Sequence, residues 1–124
     1  MDETRQLIER FFAALESRDW ARFAEVLHPD VVYEIPQSRE RIHGRDRYVQ
    51  FNREFPGDWH LAPTSVLVEG AAGVGRFDWR LGQGRTEEAF AFFGVRERLL
   101  ATVTDFWPEP YDPPTGREHL TQRW

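Results

Sequence analysis

The sequence predicts an α+β domain in which three N-terminal helices pack on a strongly curved antiparallel sheet. Apolar residues recur at helical spacing in the first half of the chain and alternate at strand spacing in the second half. Short turns separate the later segments. Helices followed by a run of consecutive strands are typical of the α+β class. At 124 residues the chain has the length of one ordinary domain.

Each of the three helices is predicted from an apolar stripe and a boundary signal. The first helix spans about residues 4–17, and the second follows Asp19, which is expected to cap it. The second helix ends at His28-Pro29-Asp30, because the residue before a proline avoids the helical region. The third helix begins at Gly44 and stops at Pro56-Gly57. The inner stripes are, in helix order, Leu7, Ile8, Phe11, Phe12 and Leu15; Trp20, Phe23, Ala24 and Leu27; and Tyr48, Phe51, Asn52 and Phe55.

The strands are predicted from β-favouring residues between turn signals. A short strand at residues 31–35 ends at Pro36, and the polar residues 37–43 are predicted as a loop. Four longer strands are predicted at residues 59–69, 74–81, 87–96 and 99–107. Because short turns join them, they should form an antiparallel meander. Prolines beyond residue 107 predict an extended tail, which places the domain at residues 1–107 and the tail at 108–124.

The composition excludes several kinds of chemistry. The chain has no cysteine and all sixteen basic residues are arginine, which rules out thiol chemistry, Cys-ligated zinc, iron–sulfur clusters and lysine Schiff bases. The four histidines are far apart and no phosphate-binding loop is present, so neither a metal nor a cofactor is expected. With a net charge of −5 and no arginine run, nucleic acid is a poor partner. No apolar segment has the length of a signal peptide or a membrane span, so no membrane partner is expected and the predicted location is the cytoplasm.

Several short segments follow a known pattern. They are Ile8-Glu9-Arg10-Phe11-Phe12-Ala13-Ala14-Leu15, Asp19-Trp20, Leu27-His28-Pro29-Asp30-Val31-Val32-Tyr33, Ile42-His43-Gly44-Arg45-Asp46 and Asp105-Phe106-Trp107. Together with the order of elements, they resemble the nuclear transport factor 2-like superfamily, in its SnoaL-like branch, over residues 5–110. The resemblance implies a cone-shaped pocket inside the curved sheet and homodimerisation through the outer sheet face. It does not imply one activity, since members include ketosteroid isomerases, polyketide cyclases, limonene-epoxide-type hydrolases, dehydratases and non-catalytic binding domains.

Ketosteroid isomerisation is not matched by the residues of this chain. The resemblance implies a carboxylate base just before the proline of the first strand, where this chain has Ile35. It also implies a tyrosine on the first helix, where this chain has Phe11, and a protonated acid on a later strand, where residues 90–93 supply none. Without a base, proton abstraction has no agent.

Epoxide hydrolysis is matched better. The resemblance places an Arg-x-Asp pair on a middle strand, here Arg76 and Asp78, and a second acid on the last strand, here Asp105. Tyr33 stands where that branch has a tyrosine that helps to hold the water, although Ile35 replaces its asparagine. One carboxylate would activate water while a protonated one donates to the opening epoxide.

Strand alternation favours a different orientation for Arg76 and Asp78. The residues between them and beside them are apolar and share the opposite face, namely Phe77, Trp79 and Leu81. If the apolar set faces the core, Arg76 and Asp78 point outward and can pair with Arg80 in a solvated or dimer-face cluster.

Asp105 is the strongest candidate for an acid–base residue. Its strand neighbours by parity are apolar, namely Ala101, Val103 and Trp107. An acid on an apolar face is either a functional group with a raised pKa or an acid hydrogen-bonded to a neighbour. Alternatively, the strand ends by Thr104 and Asp105 lies in a turn. Tyr33 shares the face of Val31 and Ile35, so its ring should lie inside with its hydroxyl seeking a partner. The SnoaL-like cyclases, as the resemblance implies, depend on one acid–base residue deep in the pocket.

The eighteen aromatic residues predict a large apolar interior or a ring-lined cavity. The residues expected in the pocket are Trp20, Phe23, Tyr33, Trp59, His60, Trp79 and Trp107. We therefore predict a domain that binds a small apolar or aromatic molecule; if it is an enzyme, cofactor-free acid–base catalysis of cyclase or hydrolase type is centred on Asp105. The alternatives are a non-catalytic ligand-binding or dimerisation module, and an epoxide-hydrolase-like enzyme that uses Arg76, Asp78 and Asp105.

A homodimer through the outer sheet face is also expected. In the strand at residues 87–96, apolar side chains occur on both faces, because Phe90 and Phe92 alternate with the small residues Ala89 and Ala91. An apolar group on the solvent side of a sheet indicates a covered surface.

Overall fold

The computed structural model describes residues 2–124, and within this part of the chain three helices and six strands follow one another. In chain order they are α1 (Glu3–Ser17), α2 (Trp20–Glu25), β1 (Leu27–Ile35), β2 (Glu40–His43), α3 (Arg45–Arg53), β3 (Trp59–Glu69), β4 (Ala72–Leu81), β5 (Glu87–Arg96) and β6 (Leu99–Phe106). The predicted α+β class is confirmed. All three of these helices precede β3, but the β1–β2 hairpin separates the second from the third.

The strands form one open, curved sheet with the order β2-β1-β6-β5-β4-β3. The predicted meander is present, because β3 to β6 pair antiparallel in sequence order. The prediction of a wholly antiparallel sheet is wrong, since β1 pairs with β6 in parallel and Tyr33 lies opposite Val103. A parallel pair needs a long connection, and here it includes every element between β1 and β6. Such non-local pairing leaves no mark in the local residue pattern.

The first strand is longer than predicted and has a second partner. It begins at Leu27, and its ladder with β6 is irregular between Leu27 and Val32, a stretch that includes a proline without a backbone N–H. The prediction of a loop at residues 37–43 is wrong for the second half, because β2 pairs antiparallel with β1 and places Ile42 opposite Tyr33. An edge strand needs only backbone pairing on one side, so its polar, mostly exposed residues carry no apolar alternation.

Two aspartates cap the first two helices. Asp2 Oδ1 accepts a hydrogen bond from the Arg5 N–H at 3.2 Å, and Asp19 Oδ1 accepts one from the Arg22 N–H at 3.1 Å, so the predicted cap at Asp19 is confirmed. At the start of α3, Gly44 has a φ of 94°, which favours glycine. The helices pack on the inner face of the sheet, and the largest fully buried side chains are Tyr48, Phe12, Phe23, Ile8, Leu27, Leu100, Val31 and Val103.

Residues 107–124 contain no assigned helix or strand. The first part of this tail, residues 108–110, lines the cavity described below. The division into a domain at 1–107 and a tail at 108–124 stays a prediction. None of the described helices is long and apolar enough to cross a membrane. The cytoplasmic location likewise stays a prediction.

Candidate functional site

A cavity of about 440 Å³ lies between the inner face of the sheet and helices α1 and α3. This volume suits a small molecule. Asp105 is the buried carboxyl group among the polar side chains of the cavity. Aromatic residues are the largest group in the wall, namely Phe11, Phe12, Tyr33, Tyr48, Phe51, Phe55, Trp59, Phe77, Trp79 and Trp107.

Asp105 and Tyr33 meet in the wall of this cavity. Because β1 and β6 are adjacent and Tyr33 lies opposite Val103, Asp105 is two residues further along the same face. The Tyr33 hydroxyl donates a hydrogen bond to Asp105 Oδ2. Both residues are buried, with exposed fractions of 4% for Tyr33 and 9% for Asp105. The predicted placement of Asp105 on the apolar face is confirmed, and the alternative of a turn is wrong, because β6 continues to Phe106.

Burial gives Asp105 an unusual affinity for a proton. It raises the pKa of the carboxyl group to about 7, from the usual aspartate value of 3.8, because the charged form is deprived of water. The hydrogen bond from Tyr33 favours the carboxylate and opposes part of this rise. Near neutral pH the group is therefore divided between acid and base, which is the condition for accepting and returning protons.

One oxygen of Asp105 is open to the cavity. Tyr33 occupies Oδ2, and Oδ1 receives no hydrogen bond from the described residues. Every fully buried side-chain nitrogen or oxygen within residues 2–124 has a hydrogen-bond partner. Since Oδ1 has none, Oδ1 is not fully buried. Since Asp105 lines the cavity, a molecule bound there can contact Oδ1 directly.

Two stacked tyrosines lie beside the carboxyl group. The rings of Tyr33 and Tyr48 are 4.4 Å apart between centroids, with an angle of 21° between their planes. Burial and then the charge of Asp105 raise the pKa of both phenols well above the ordinary value of 10, while a hydrogen bond from the Asn52 side chain opposes the rise for Tyr48. Both phenols are thus neutral at physiological pH, and Tyr33 acts as a hydrogen-bond donor.

Arg76 and Asp78 lie away from this group. Buried Gly75 and Phe77 face inward on β4, so Arg76 and Asp78 point to the outer face of the sheet. There Arg76 Nη2 binds Glu88 Oε2 at 2.6 Å, and neither Arg76 nor Asp78 lines the cavity. The orientation predicted from strand alternation is observed. The epoxide-hydrolase arrangement, which needs both residues beside Asp105, is not formed.

Three of the predicted pocket residues do not line the cavity, while Tyr33, Trp59, Trp79 and Trp107 do. Phe23 is fully buried in the core, and Trp20 packs edge-on against it at 6.2 Å between ring centroids. His60 follows the inward-facing Trp59, so alternation turns it outward, where its ring nitrogens lie 2.9 Å from Glu16 and 3.0 Å from Asp58. The sequence offered no means of separating core rings from cavity rings on the short helix α2.

Helix α3 contributes lining residues that were predicted only as a helix face. Tyr48, Phe51 and Asn52 of α3 line the cavity, and so does Phe55, two residues beyond the end of the helix. Asn52 was the available signal, because an amide within an otherwise aromatic stripe needs a polar partner. Glu40 also lines the cavity; the polar residues of its strand predict a loop, so the local sequence does not indicate this position.

The model of the SnoaL-like domain family matches residues 8–107, so the chain belongs to the SnoaL-like family. A solved structure from Kribbella flavida DSM 17836, provisionally assigned as a ketosteroid isomerase, is 44% identical over 98% of this chain and 90% of that chain, with a TM-score of 0.94. An NTF-2 like protein of unknown function from Burkholderia xenovorans LB400 is 20% identical over 98% and 95%, with a TM-score of 0.82. An LEH-like epoxide hydrolase of M. tuberculosis is 22% identical over 86% and 83%, with a TM-score of 0.73. Among curated proteins, none shows significant similarity to this chain.

Proposed function

We propose that this domain binds a small apolar or aromatic molecule in the cavity and transfers protons within it, without a cofactor, through Asp105. The observation that carries the proposal is a buried carboxyl group, hydrogen-bonded by Tyr33, with its second oxygen open to an aromatic cavity. A raised pKa in a cleft is typical of functional groups. The family includes enzymes of several activities, so the site and not the fold is the basis for the choice.

The chemistry follows from the two protonation states of Asp105. As a carboxylate, Oδ1 can accept a proton from a carbon or hydroxyl of the bound molecule; as a carboxylic acid, it can return that proton to another atom. Tyr33 donates to Oδ2 throughout and so holds the carboxyl group in one orientation. The net result is an isomerisation or a ring closure. Ile35 lines the cavity at the place where a ketosteroid isomerase has its base, so the acid on β6 replaces that base.

The second candidate is a binding module without catalysis. It is favoured by the single buried charge of the cavity wall, where Asp105 is the only strongly buried charged residue among the described residues. In this case the carboxyl group only orients the ligand. The two candidates differ in what the loss of the proton-transfer group does to turnover and to binding.

The Asp105→Asn variant should separate these candidates. The probe is 5-nitrobenzisoxazole, a small aromatic carbon acid; removing its ring C–H proton breaks the N–O bond and gives a coloured cyanophenolate. We expect the wild type to accelerate this reaction, with kcat/KM rising to a plateau above about pH 7, and Asp105→Asn to lower kcat/KM by about 100-fold or more. Both proteins should bind the unreactive analogue 5-nitroindole equally well, measured by quenching of tryptophan fluorescence.

Asp78→Asn is the matched control, because it makes the same change on the outer face of the sheet. It should leave kcat/KM unchanged; a loss there would favour the epoxide-hydrolase-like arrangement. Equal rates for wild type and Asp105→Asn, with 5-nitroindole still bound, would leave only the binding module. If 5-nitroindole does not bind, the proposed function itself fails.

We also propose a homodimer that buries the outer face of the sheet. Phe92 is 49% exposed there and packs edge-on against Phe106 at 5.5 Å between ring centroids. We expect a dimer mass in light scattering at micromolar concentration and a monomer for Phe92→Glu. Leu120→Glu, an equal change at an exposed apolar residue of the tail, should remain a dimer. A monomeric wild type would refute the proposal.

A further inference from the structure

Carboxyl groups line the cavity, and the guanidinium of Arg18 lies 3.3 Å from the centre of the Trp59 ring in its wall. The chain has sixteen arginines and no lysine, yet no arginine or histidine is among the described residues that line the cavity. Carboxyl groups lie at two levels of it. Asp105 is buried in the wall, and four glutamates are among the more exposed lining residues, namely Glu40, Glu87, Glu88 and Glu109; of these, Glu88 turns its carboxyl group to Arg76 on the outer face.

Three of these glutamates come from separate elements and are free to act on a ligand. Glu40 begins β2, Glu87 begins β5, and Glu109 belongs to the tail; each is exposed. Within residues 2–124 no ion pair engages any of the three, whereas Glu88 is bound to Arg76 at 2.6 Å. Three uncompensated charges around one opening favour the entry of cations and oppose that of anions.

Four rings of the cavity wall pack at nearly right angles to one another. Trp107 meets Trp79 at 82° with 5.7 Å between centroids, and it meets Phe77 at 87° with 5.6 Å. Phe55 in turn meets Trp79 at 83° with 6.2 Å. In each pair the edge of one ring packs against the other ring, and all four rings line the cavity. The negative faces of aromatic rings, tryptophan above all, attract an ammonium group.

We propose that the molecule bound in this cavity is an organic cation, an amine or quaternary ammonium group joined to an apolar or aromatic body. This inference rests on the proposed function and narrows its ligand class. The aromatic rings hold the positive group in the field of the Asp105 carboxylate, and Glu40, Glu87 and Glu109 attract it to the opening. An anionic ligand would meet carboxylates with no basic partner. A neutral hydrocarbon would offer Oδ1 neither a hydrogen bond nor a charge.

Three probes of one size test the charge preference. Phenyltrimethylammonium is a cation, tert-butylbenzene has the same shape with carbon in place of nitrogen, and benzoate is an anion. Binding is followed by the fluorescence of Trp59, Trp79 and Trp107, which line the cavity. We expect the cation to bind about tenfold more tightly than tert-butylbenzene, and benzoate to bind more weakly than both. Asp105→Asn should remove most of the preference for the cation while leaving the affinity for tert-butylbenzene unchanged.

A charge-matched pair of variants tests the glutamates at the opening. Changing Glu40, Glu87 and Glu109 to glutamine should slow association of the cation and flatten its dependence on salt. The control changes three exposed glutamates that do not line the cavity to glutamine, namely Glu9, Glu25 and Glu69, and should leave the kinetics unchanged. If tert-butylbenzene binds as tightly as the cation, or benzoate binds best, the inference is overturned while the proposed binding of apolar molecules stands. If none of the probes binds, both fail.

Discussion

Replacing Asp105 by asparagine should make the protein more stable than the wild type at alkaline pH. The folded wild type keeps a proton on Asp105 up to a pKa of about 7, whereas the unfolded chain releases it near the usual aspartate value of 3.8. Between these pH values the folded state binds more protons, so its free energy of unfolding falls as the pH rises. The whole loss is about 4 kcal/mol at about 1.4 kcal/mol per pKa unit. Asparagine never ionises and does not suffer this loss.

The measurement is urea unfolding of both proteins between about pH 3.5 and 8.5. Well below 3.8 Asp105 is protonated in both states and contributes no slope, and well above 7 the loss is complete. The difference between the two proteins isolates this group, because the remaining residues titrate in both. Tyr33→Phe removes the hydrogen bond that favours the carboxylate, so it should move the fall in stability to higher pH. A constant difference between wild type and Asp105→Asn would show an Asp105 that ionises as in water, and would remove the basis for its acid–base role.

Local patterns predicted the parts of the fold that local interactions determine. The cap at Asp19, the stripe of α1 and the alternation of β4 each involve residues within a few positions of one another. The parallel pairing of β1 with β6 joins residues about seventy positions apart, and it depends on how the whole sheet is assembled. The polar edge strand β2 was missed because backbone hydrogen bonds, and no buried face, hold it in place.

The same distinction applies to the candidate site. Asp105 could be predicted because a carboxyl group on an apolar strand face conflicts with its surroundings. Its hydrogen bond with Tyr33 could not be predicted, since it depends on the β1–β6 pairing. The prediction of His60 in the pocket is wrong, because His60 follows Trp59 on β3 and strand alternation turns the two side chains to opposite faces. Among the glutamates at the opening, Glu40 lies on an edge strand, Glu87 at a strand end and Glu109 in the tail. No periodic residue pattern marks such positions, so the sequence does not predict them as cavity residues.

Gly75→Ala should destabilise the protein by about 1–3 kcal/mol, and Phe12→Ala by about 3–5 kcal/mol. A Cβ at position 75 would lie 2.6 Å from Cε2 and 2.8 Å from Cζ of Phe12. That ring is 1% exposed and has edge or tilted contacts at 5.3 Å with Phe11 and 5.2 Å with Phe77, so it has little room to move. The glycine on β4 therefore allows the close approach by which Phe12 forms part of the cavity wall.

The double variant is the sharper test of that contact. With Phe12 reduced to alanine, the methyl group at position 75 meets open space, so the double variant should be more stable than the sum of the single changes by about 1–3 kcal/mol. Phe23→Ala is the matched control, because Phe23 is equally buried but is not among the atoms nearest to a Cβ at position 75; with Gly75→Ala it should be additive. Urea unfolding of the single and double variants gives both couplings. If the effects of Gly75→Ala and Phe12→Ala simply add, the side chains of the cavity wall shift to accept the added methyl group. In that case the glycine does not determine the position of the Phe12 ring.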